Sequence, residues 1–277
     1  MSDLLELGEE EFLRISTLIH TRFGIDLSKK QTLVRGRLNG TLRTLGYRSF
    51  SEYMHAVDSD TSGQRLLEMV DRLSTNHTYF YRESDHLEYL TSVALPTLWG
   101  ENIQQGLADA RIWCAGCATG EEPYSLIIAM ADRFGLNSIP DHPVVLATDI
   151  STSALAVAKQ GVYPLSRVRE AGDIVSRGYA TTDPDGQTRM SAALTRRVLF
   201  RRLNLMQSDF PFRRSFDVIF CRNVMIYFDQ PTRVALVRAF WRYLRPGGFL
   251  FLGHSESMGR NVDGFQYLCP AVYRRVP

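Results

Sequence analysis

From about residue 110 onward the chain alternates between short apolar, β-prone runs and longer stretches with helical spacing, and this alternation limits the possible folds more than any other feature. "RIWCA" (111–115) precedes "EEPYSLIIAMADRF" (121–134), and "PVVLATD" (143–149) precedes "TSALAVAKQG" (152–161), which closes on a glycine. "FDVIFCRN" (216–223) is followed by "PTRVALVRAFWRYLRPGG" (231–248), read as a helix and a Pro-Gly-Gly turn, and then by the strand "FLFLGHS" (249–255). Strands that alternate with helices pair in parallel through crossovers, so the expected class is α/β with a doubly wound sheet and its ligand at the carboxyl ends of the strands. The alternation lapses over 163–200, where the turn cluster "TTDPDGQT" predicts an inserted antiparallel hairpin subdomain.

Residues 1–75 read differently. Phe12, Ile15, Ile19 and Phe23 keep helical spacing, Val34, Leu38, Leu42 and Leu45 form a second stripe, and Leu66, Leu67, Val70 and Leu73 suggest a further helix. "SFSE" (49–52) has the Ser-x-x-Glu form of a capping box. These patterns predict a small all-helical N-terminal domain. With 277 residues, 44% of them hydrophobic, the chain can bury a substantial core. A net charge of +2 gives no global field of the kind that marks a bulk nucleic-acid binder. Four cysteines are too few for a disulfide scaffold and fit a reducing, cytoplasmic setting. The acidic start "MSDLLELGEEEF" lacks the basic region of a secretory signal, and no apolar run reaches the roughly 18 residues that a membrane span needs.

The segment "CAGCATGEE" (114–122) falls at the top of the first strand. Ala115, Gly116, Ala118 and Gly120 are small enough to let backbone N–H groups approach a ligand. Glu121 and Glu122 open the next helix, which disfavours a phosphate there and suits a ligand carrying positive charge. Asp149 ends the second strand, where a carboxylate can bind both ribose hydroxyls. The Cys114/Cys117 pair also has the spacing of a zinc or redox motif. Zinc needs a second ligand pair, and neighbouring acids raise a thiol pKa, so small-residue packing is the expected role. "GHSES" (253–257) nearly matches a nucleophile elbow, but Ser257 stands where the last glycine belongs and "MGRNVDGF" after it reads as loop.

Together, "TNHTYFYRE" (75–83), "CATGEEPYSLII" (117–128), "ATDIS" (147–151), "FDVIFCRNVMIYFD" (216–229) and "LRPGGFLFLGHSES" (244–257) resemble the chemotaxis receptor glutamate methyltransferases, the CheR family, in order and over nearly the whole chain. The resemblance implies a Rossmann-like, S-adenosylmethionine-dependent O-methyltransferase that forms glutamate γ-methyl esters on cytoplasmic chemoreceptor helices. It implies a helical domain over 1–75, a linker over 76–90 contributing to the cofactor site, and a methyltransferase domain over 91–277. The implied cofactor contacts are Asn76, Thr78, Arg82, Ala115, Gly116, Glu121, Asp149, Asn204, Leu205, Asn223 and Val224, with Tyr227 near the transferred methyl. The match at Glu121 allows a slip of one to Glu122. No metal and no catalytic triad are expected, because a glutamate carboxylate is already ionised at neutral pH.

Between Leu27 and Ser51 there are six bases and no acid: Lys29, Lys30, Arg35, Arg37, Arg43 and Arg48. A solvated helix face accounts for such a run on its own. The resemblance makes Arg35, Arg37, Arg43 and Arg48 a surface for glutamate-rich receptor helices, with electrostatic steering as the benefit. A monomer is the default expectation for the oligomeric state, and the resemblance implies recruitment to receptor arrays at the membrane. The hairpin loop is short and poor in glycine, unlike the longer loop with which some family members grip a peptide at the receptor C-terminus, so no such tether is expected. The rival readings are a non-catalytic receptor-binding module and a nucleic-acid methyltransferase. The second wants an Asn-Pro-Pro-Tyr-like tetrad that "CRNVMIY" lacks, and no nucleic-acid partner is expected.

Overall fold

The computed structural model describes residues 5–169 and 172–276, so the very start of the acidic N-terminal stretch lies outside it. Four helices come first: α1 (Glu9–Phe23), α2 (Gln31–Thr44), α3 (Phe50–Asp58) and α4 (Gln64–Leu73). Three glutamates fill the first turn of α1, where the helix dipole favours them. Ser49 caps α3 by accepting from Glu52 N at 3.1 Å. The glutamate reaches back to Arg48 N rather than to the cap residue, at 2.7 Å. Val34, Leu38 and Leu42 are buried as expected, but Leu45 is 49% exposed because α2 ends one residue before it.

Extended residues lead from α4 to a helical run that the sequence reading missed: α5 (Ser84–Tyr89), a π-helical turn (Leu90–Ala94), α6 (Leu95–Trp99) and α7 (Ile103–Ala108). The linker placed at 76–90 therefore runs into helix at Ser84. The π turn and Pro96 break the 3.6-residue stripe that would have announced this helix.

Beyond it come β1 (Ile112–Ala115), α8 (Glu121–Phe134), β2 (Val145–Asp149) and α9 (Thr152–Gln160). Then follow β3 (Val162–Pro164), α10 (Leu165–Val168), β4 (Ala180–Thr182), β5 (Gln187–Met190), α11 (Ala192–Thr195) and β6 (Val198–Arg202). The chain closes with β7 (Phe216–Cys221), α12 (Gln230–Tyr243), β8 (Leu244–Leu252), β9 (Asn261–Val262), β10 (Phe265–Cys269) and β11 (Val272–Arg275). The main sheet has the order β6-β2-β1-β7-β8-β11-β10-β9. The first five strands in that order pair in parallel and the last three antiparallel. β1 and β7 are buried along their full length, as central parallel strands are.

Two sequence expectations need correcting here. The insertion is a three-stranded antiparallel sheet, β3-β5-β4, and it ends before 200, because β6 joins the main sheet beside β2. Val198 and Phe200 alternate inward, but two arginines after them masked the strand. The Pro-Gly-Gly segment is likewise not a turn but the first part of β8. A Cβ on Gly248 would stand 2.8 Å from Asp217 O, so the close approach of β7 and β8 explains that glycine.

The order of the parallel strands reverses at β1, with β2 on one side and β7 on the other, and the loops leaving β1 and β7 diverge to open a crevice. Buried side chains of α1–α4 belong to the same apolar cluster as Trp113, Ile219, Phe240 and Leu250 on one face of the sheet. The helical domain is thus packed on the sheet, and among the described residues no helix is long and apolar enough to cross a membrane.

Candidate active site

At the switch point lies a cleft, its walls drawn from the segments after α1 and α4, from the ends of β1, β2 and β7, and from the residues after β6. The loop after β1 is held open by backbone conformation. Gly116, Ala118 and Gly120 have φ of 86°, 47° and 96°, all left-handed. A Cβ on Gly116 would sit 2.2 Å from Val224 Cγ2, so only glycine lets the loops after β1 and β7 meet. Gly116 N and Cys117 N both donate to Thr148 O, at 2.8 and 3.0 Å, which ties this loop to β2.

Asp149 is 8% exposed and lines the cleft. Its two oxygens accept from Ala118 N at 2.8 Å and Ser151 N at 2.9 Å. Burial pushes its pKa up, while those N–H groups pull the other way. The carboxylate is therefore fixed in orientation and keeps lone pairs for a ligand. Arg82 lines the same cleft with Asn76 and Thr78. It donates to His77 O at 3.0 Å and lies over the Tyr79 ring, and no ion pair joins it to a carboxylate among the described residues.

Asn223 follows β7 with φ of 58°, a left-handed conformation that non-glycine residues seldom adopt. Glu256 holds that turn: its buried carboxylate accepts from Asn223 N at 2.6 Å, Gly253 N at 2.8 Å and Ile226 N at 3.1 Å. The "GHSES" segment thus serves as the brace of the β7 loop. Ser255 is exposed, and His254 pairs with Asp85 at 3.0 Å, not with a serine. Arg222, 5% exposed, bonds Glu83 Oε2 at 3.1 Å and Glu122 Oε2 at 2.9 Å, and also donates to Arg82 O. Burial alone would raise the pKa of Glu83, but the charge of Arg222 and the hydrogen bonds from Asn223 and Arg222 leave it below the ordinary value.

Of the twelve residues expected around the cofactor and the methyl, ten line this cleft: Asn76, Thr78, Arg82, Gly116, Asp149, Asn204, Leu205, Asn223, Val224 and Tyr227. Two do not. Ala115 is fully buried in β1. Glu121 is fully buried with its carboxylate turned to Arg167 at 2.5 Å and Thr119 Oγ1 at 2.6 Å, and the neighbouring Glu122 lines the cleft instead. The helix start turns successive side chains by about 100°, so a shift of one residue exchanges the buried acid for the cleft acid. Asn204 spends its amide on Arg22 O at 2.7 Å, fastening the end of α1 to the β6 loop.

Cys114 and Cys117 are buried and their pKa values are pushed well up, chiefly by burial. Cys114 Sγ donates to Glu122 Oε1 at 3.0 Å. Neither is a candidate thiolate. In the basic run, Arg37 donates to Leu73 O, Ser74 O and Thr75 Oγ1 at 2.7, 2.8 and 3.0 Å, so it fastens α2 to the end of α4. Arg222, Glu83 and Glu256 escaped the sequence reading, as did Lys30 as a wall residue, 5.5 Å from the centre of the Tyr227 ring.

A sheet with this order, a small-residue loop after β1 and an acid ending β2 defines a nucleoside-cofactor enzyme of the doubly wound class. Residues 76–273 match the model of the CheR methyltransferase S-adenosylmethionine-binding domain, and residues 10–74 that of the CheR methyltransferase all-alpha domain. The chain is 38% identical over 272 residues to the chemotaxis protein methyltransferase of Borreliella burgdorferi, covering 98% of this chain and 96% of that one. It is 35% identical to the Salmonella typhimurium chemotaxis protein methyltransferase, covering 99% and 92%. It is 38% identical to chemotaxis protein methyltransferase 2 of Pseudomonas aeruginosa, covering 90% and 86%. The protein is a methyltransferase with an S-adenosylmethionine-binding domain and belongs to the CheR methyltransferase family.

Proposed function

We propose that the protein methylates glutamate side chains on the cytoplasmic helices of methyl-accepting chemoreceptors, giving γ-methyl esters and S-adenosylhomocysteine. The observation that carries this reading is the pairing, in one cleft, of an oriented buried acid with an arginine that has no carboxylate partner among the described residues. Asp149 fits ribose hydroxyls, Arg82 fits the α-carboxylate of the methionine part, and Glu122 fits its ammonium. S-adenosylmethionine supplies a methyl group activated on a sulfonium.

The chain has little proton chemistry to perform. The attacking glutamate is ionised at neutral pH, so the residues at the mouth act by placement and by excluding water. Tyr227 is a positioning residue, its backbone locked by the Asp26 N–H bonding Tyr227 O at 2.8 Å. Lys30, beside it, puts positive charge where a substrate carboxylate enters. Farther out, Arg35, Arg43 and Arg48 steer glutamate-rich helices toward that mouth.

The test is label transfer from S-adenosylmethionine to chemoreceptor cytoplasmic fragments. Base-labile label is expected with the wild type, and at least about a tenfold loss with Asp149→Ala. Equal labelling by both proteins would overturn the cofactor assignment, and alkali-stable label would overturn the ester. The turn between β4 and β5 is short, closed by Gly186 N to Asp183 O at 3.0 Å. It supports a protein that works without a tether at the receptor C-terminus, so calorimetry against a receptor C-terminal pentapeptide should show no micromolar binding.

A further inference from the structure

Beside Arg222, the end of the linker and the turn after β8 bring together Glu83, His86 and His254, whose nitrogen and oxygen ligand atoms all lie within 4.8 Å of one another. The chain joins them from positions about 170 residues apart, so the cluster is a product of the fold. His86 is 1% exposed, and among the described residues neither of its ring nitrogens has a hydrogen-bond partner. Glu83 Oε2 stands 3.6 Å from His86 Nδ1, too far for a hydrogen bond. The ring packs edge-on against His254, with centroids 4.7 Å apart, and against Phe251. Burying an imidazole with both nitrogens unanswered is costly, and a ligand between the three side chains removes that cost.

The ligand set is two imidazoles and one carboxylate. It is wrong for Mg²⁺ and Ca²⁺, which prefer oxygen alone, and right for Zn²⁺ and its neighbours. Asp85 Oδ2 lies 3.0 Å from His254 Nε2 and brings a second carboxylate to the outer side. Arg222 opposes a cation here through its bond to Glu83, but Glu83, Asp85 and Glu122 outnumber that one positive charge. We propose that Glu83, His86 and His254 form a binding site for a divalent transition ion of the zinc class, with Asp85 at its outer edge. The site is separate from the methyl-transfer cleft. Glu83 links it to the cleft wall, because the same carboxylate accepts from Arg222 and Asn223, which line the cleft.

The test is titration of the chelator-stripped full-length protein with Zn²⁺ against a chromophoric chelator, with Co²⁺ in parallel for its visible absorption. One Zn²⁺ per chain is expected, not displaced by excess Mg²⁺. The side chain of His254 is 47% exposed, so His254→Ala should keep the fold and weaken binding by at least about tenfold. Asp85→Asn should weaken it less. His142→Ala, at an exposed histidine with only a weak contact to its neighbour's carbonyl, should change nothing. Absence of a stoichiometric site, equal affinity in His254→Ala, or a loss confined to His142→Ala would each overturn the assignment.

Discussion

At the scale of single residues, much of the site's precision comes from a residue that touches no ligand. Glu256 gathers three backbone N–H groups, from Asn223, Gly253 and Ile226, into one buried carboxylate. Asn223 holds its left-handed φ because that acceptor is there, and Val224 and Tyr227 hang from the same turn. Removing the carboxylate leaves buried N–H groups unanswered, each worth about 1–3 kcal/mol. Glu256→Ala should therefore lower stability by roughly 2–4 kcal/mol. It should also weaken S-adenosylhomocysteine binding, although the side chain does not line the cleft. Urea unfolding and calorimetry on the variant would check both, and affinity equal to that of the wild type would show that the turn holds without its brace.

Among the elements, α12 shows how one cap serves two purposes. Asp229 accepts from Thr232 N at 2.9 Å at the start of α12, and it also pairs with His20 of α1 at 2.9 Å. The Thr232 bonds, with a smaller contribution from His20, pull its pKa down to about 2. An acid whose folded pKa is depressed stabilises above its unfolded value of 3.8 and loses that contribution as pH falls through about 2. Asp229→Ala should cost about 1 kcal/mol at pH 7. The gap from the wild type should shrink as the pH falls from near 4 toward 2, read from denaturant midpoints. A gap that stayed constant over that window would mean that charge plays no part in the cap.

Local signals of this kind are also what made parts of the fold legible in advance. Ser49, the helix from Glu121 to Phe134 and the end of α9 at Gly161 could be read because cap and helix are neighbours in the chain. The small-residue loop and Asp149 could be read because strand, turn and acid follow one another. Arg222 with Glu83 could not, since those partners are 139 residues apart and neither has a pattern of its own. The choice between Glu121 and Glu122 turns on helix phase, and the role of Arg37 turns on carbonyls 36 and 37 residues away.

On the scale of the whole molecule, the helical domain is part of the cofactor site. Phe23, Ile25, Leu27, Lys30 and Leu33 line the cleft, and α1–α4 share one buried cluster with Trp113 and Phe240 under the sheet. Ile25 bridges to Phe228, Asn204 bonds Arg22 O, and Asp71 of α4 accepts from Thr152 N at the start of α9. With its apolar surface shared this way, the helical domain has no separate core to retain once the sheet opens. Thermal unfolding should thus follow a single transition by both far-ultraviolet and near-ultraviolet dichroism. A ligand bound between the two parts stabilises both, so S-adenosylhomocysteine at about 100 times its Kd should add roughly 2.7 kcal/mol to that one transition. Ile25→Asp, which puts a charge into the shared wall, should reduce the ligand-induced shift and bring forward the loss of the helical domain. Two separate transitions in the wild type, with only the later one responding to ligand, would mean that the helical domain merely rests on the sheet and that the cleft is complete without it.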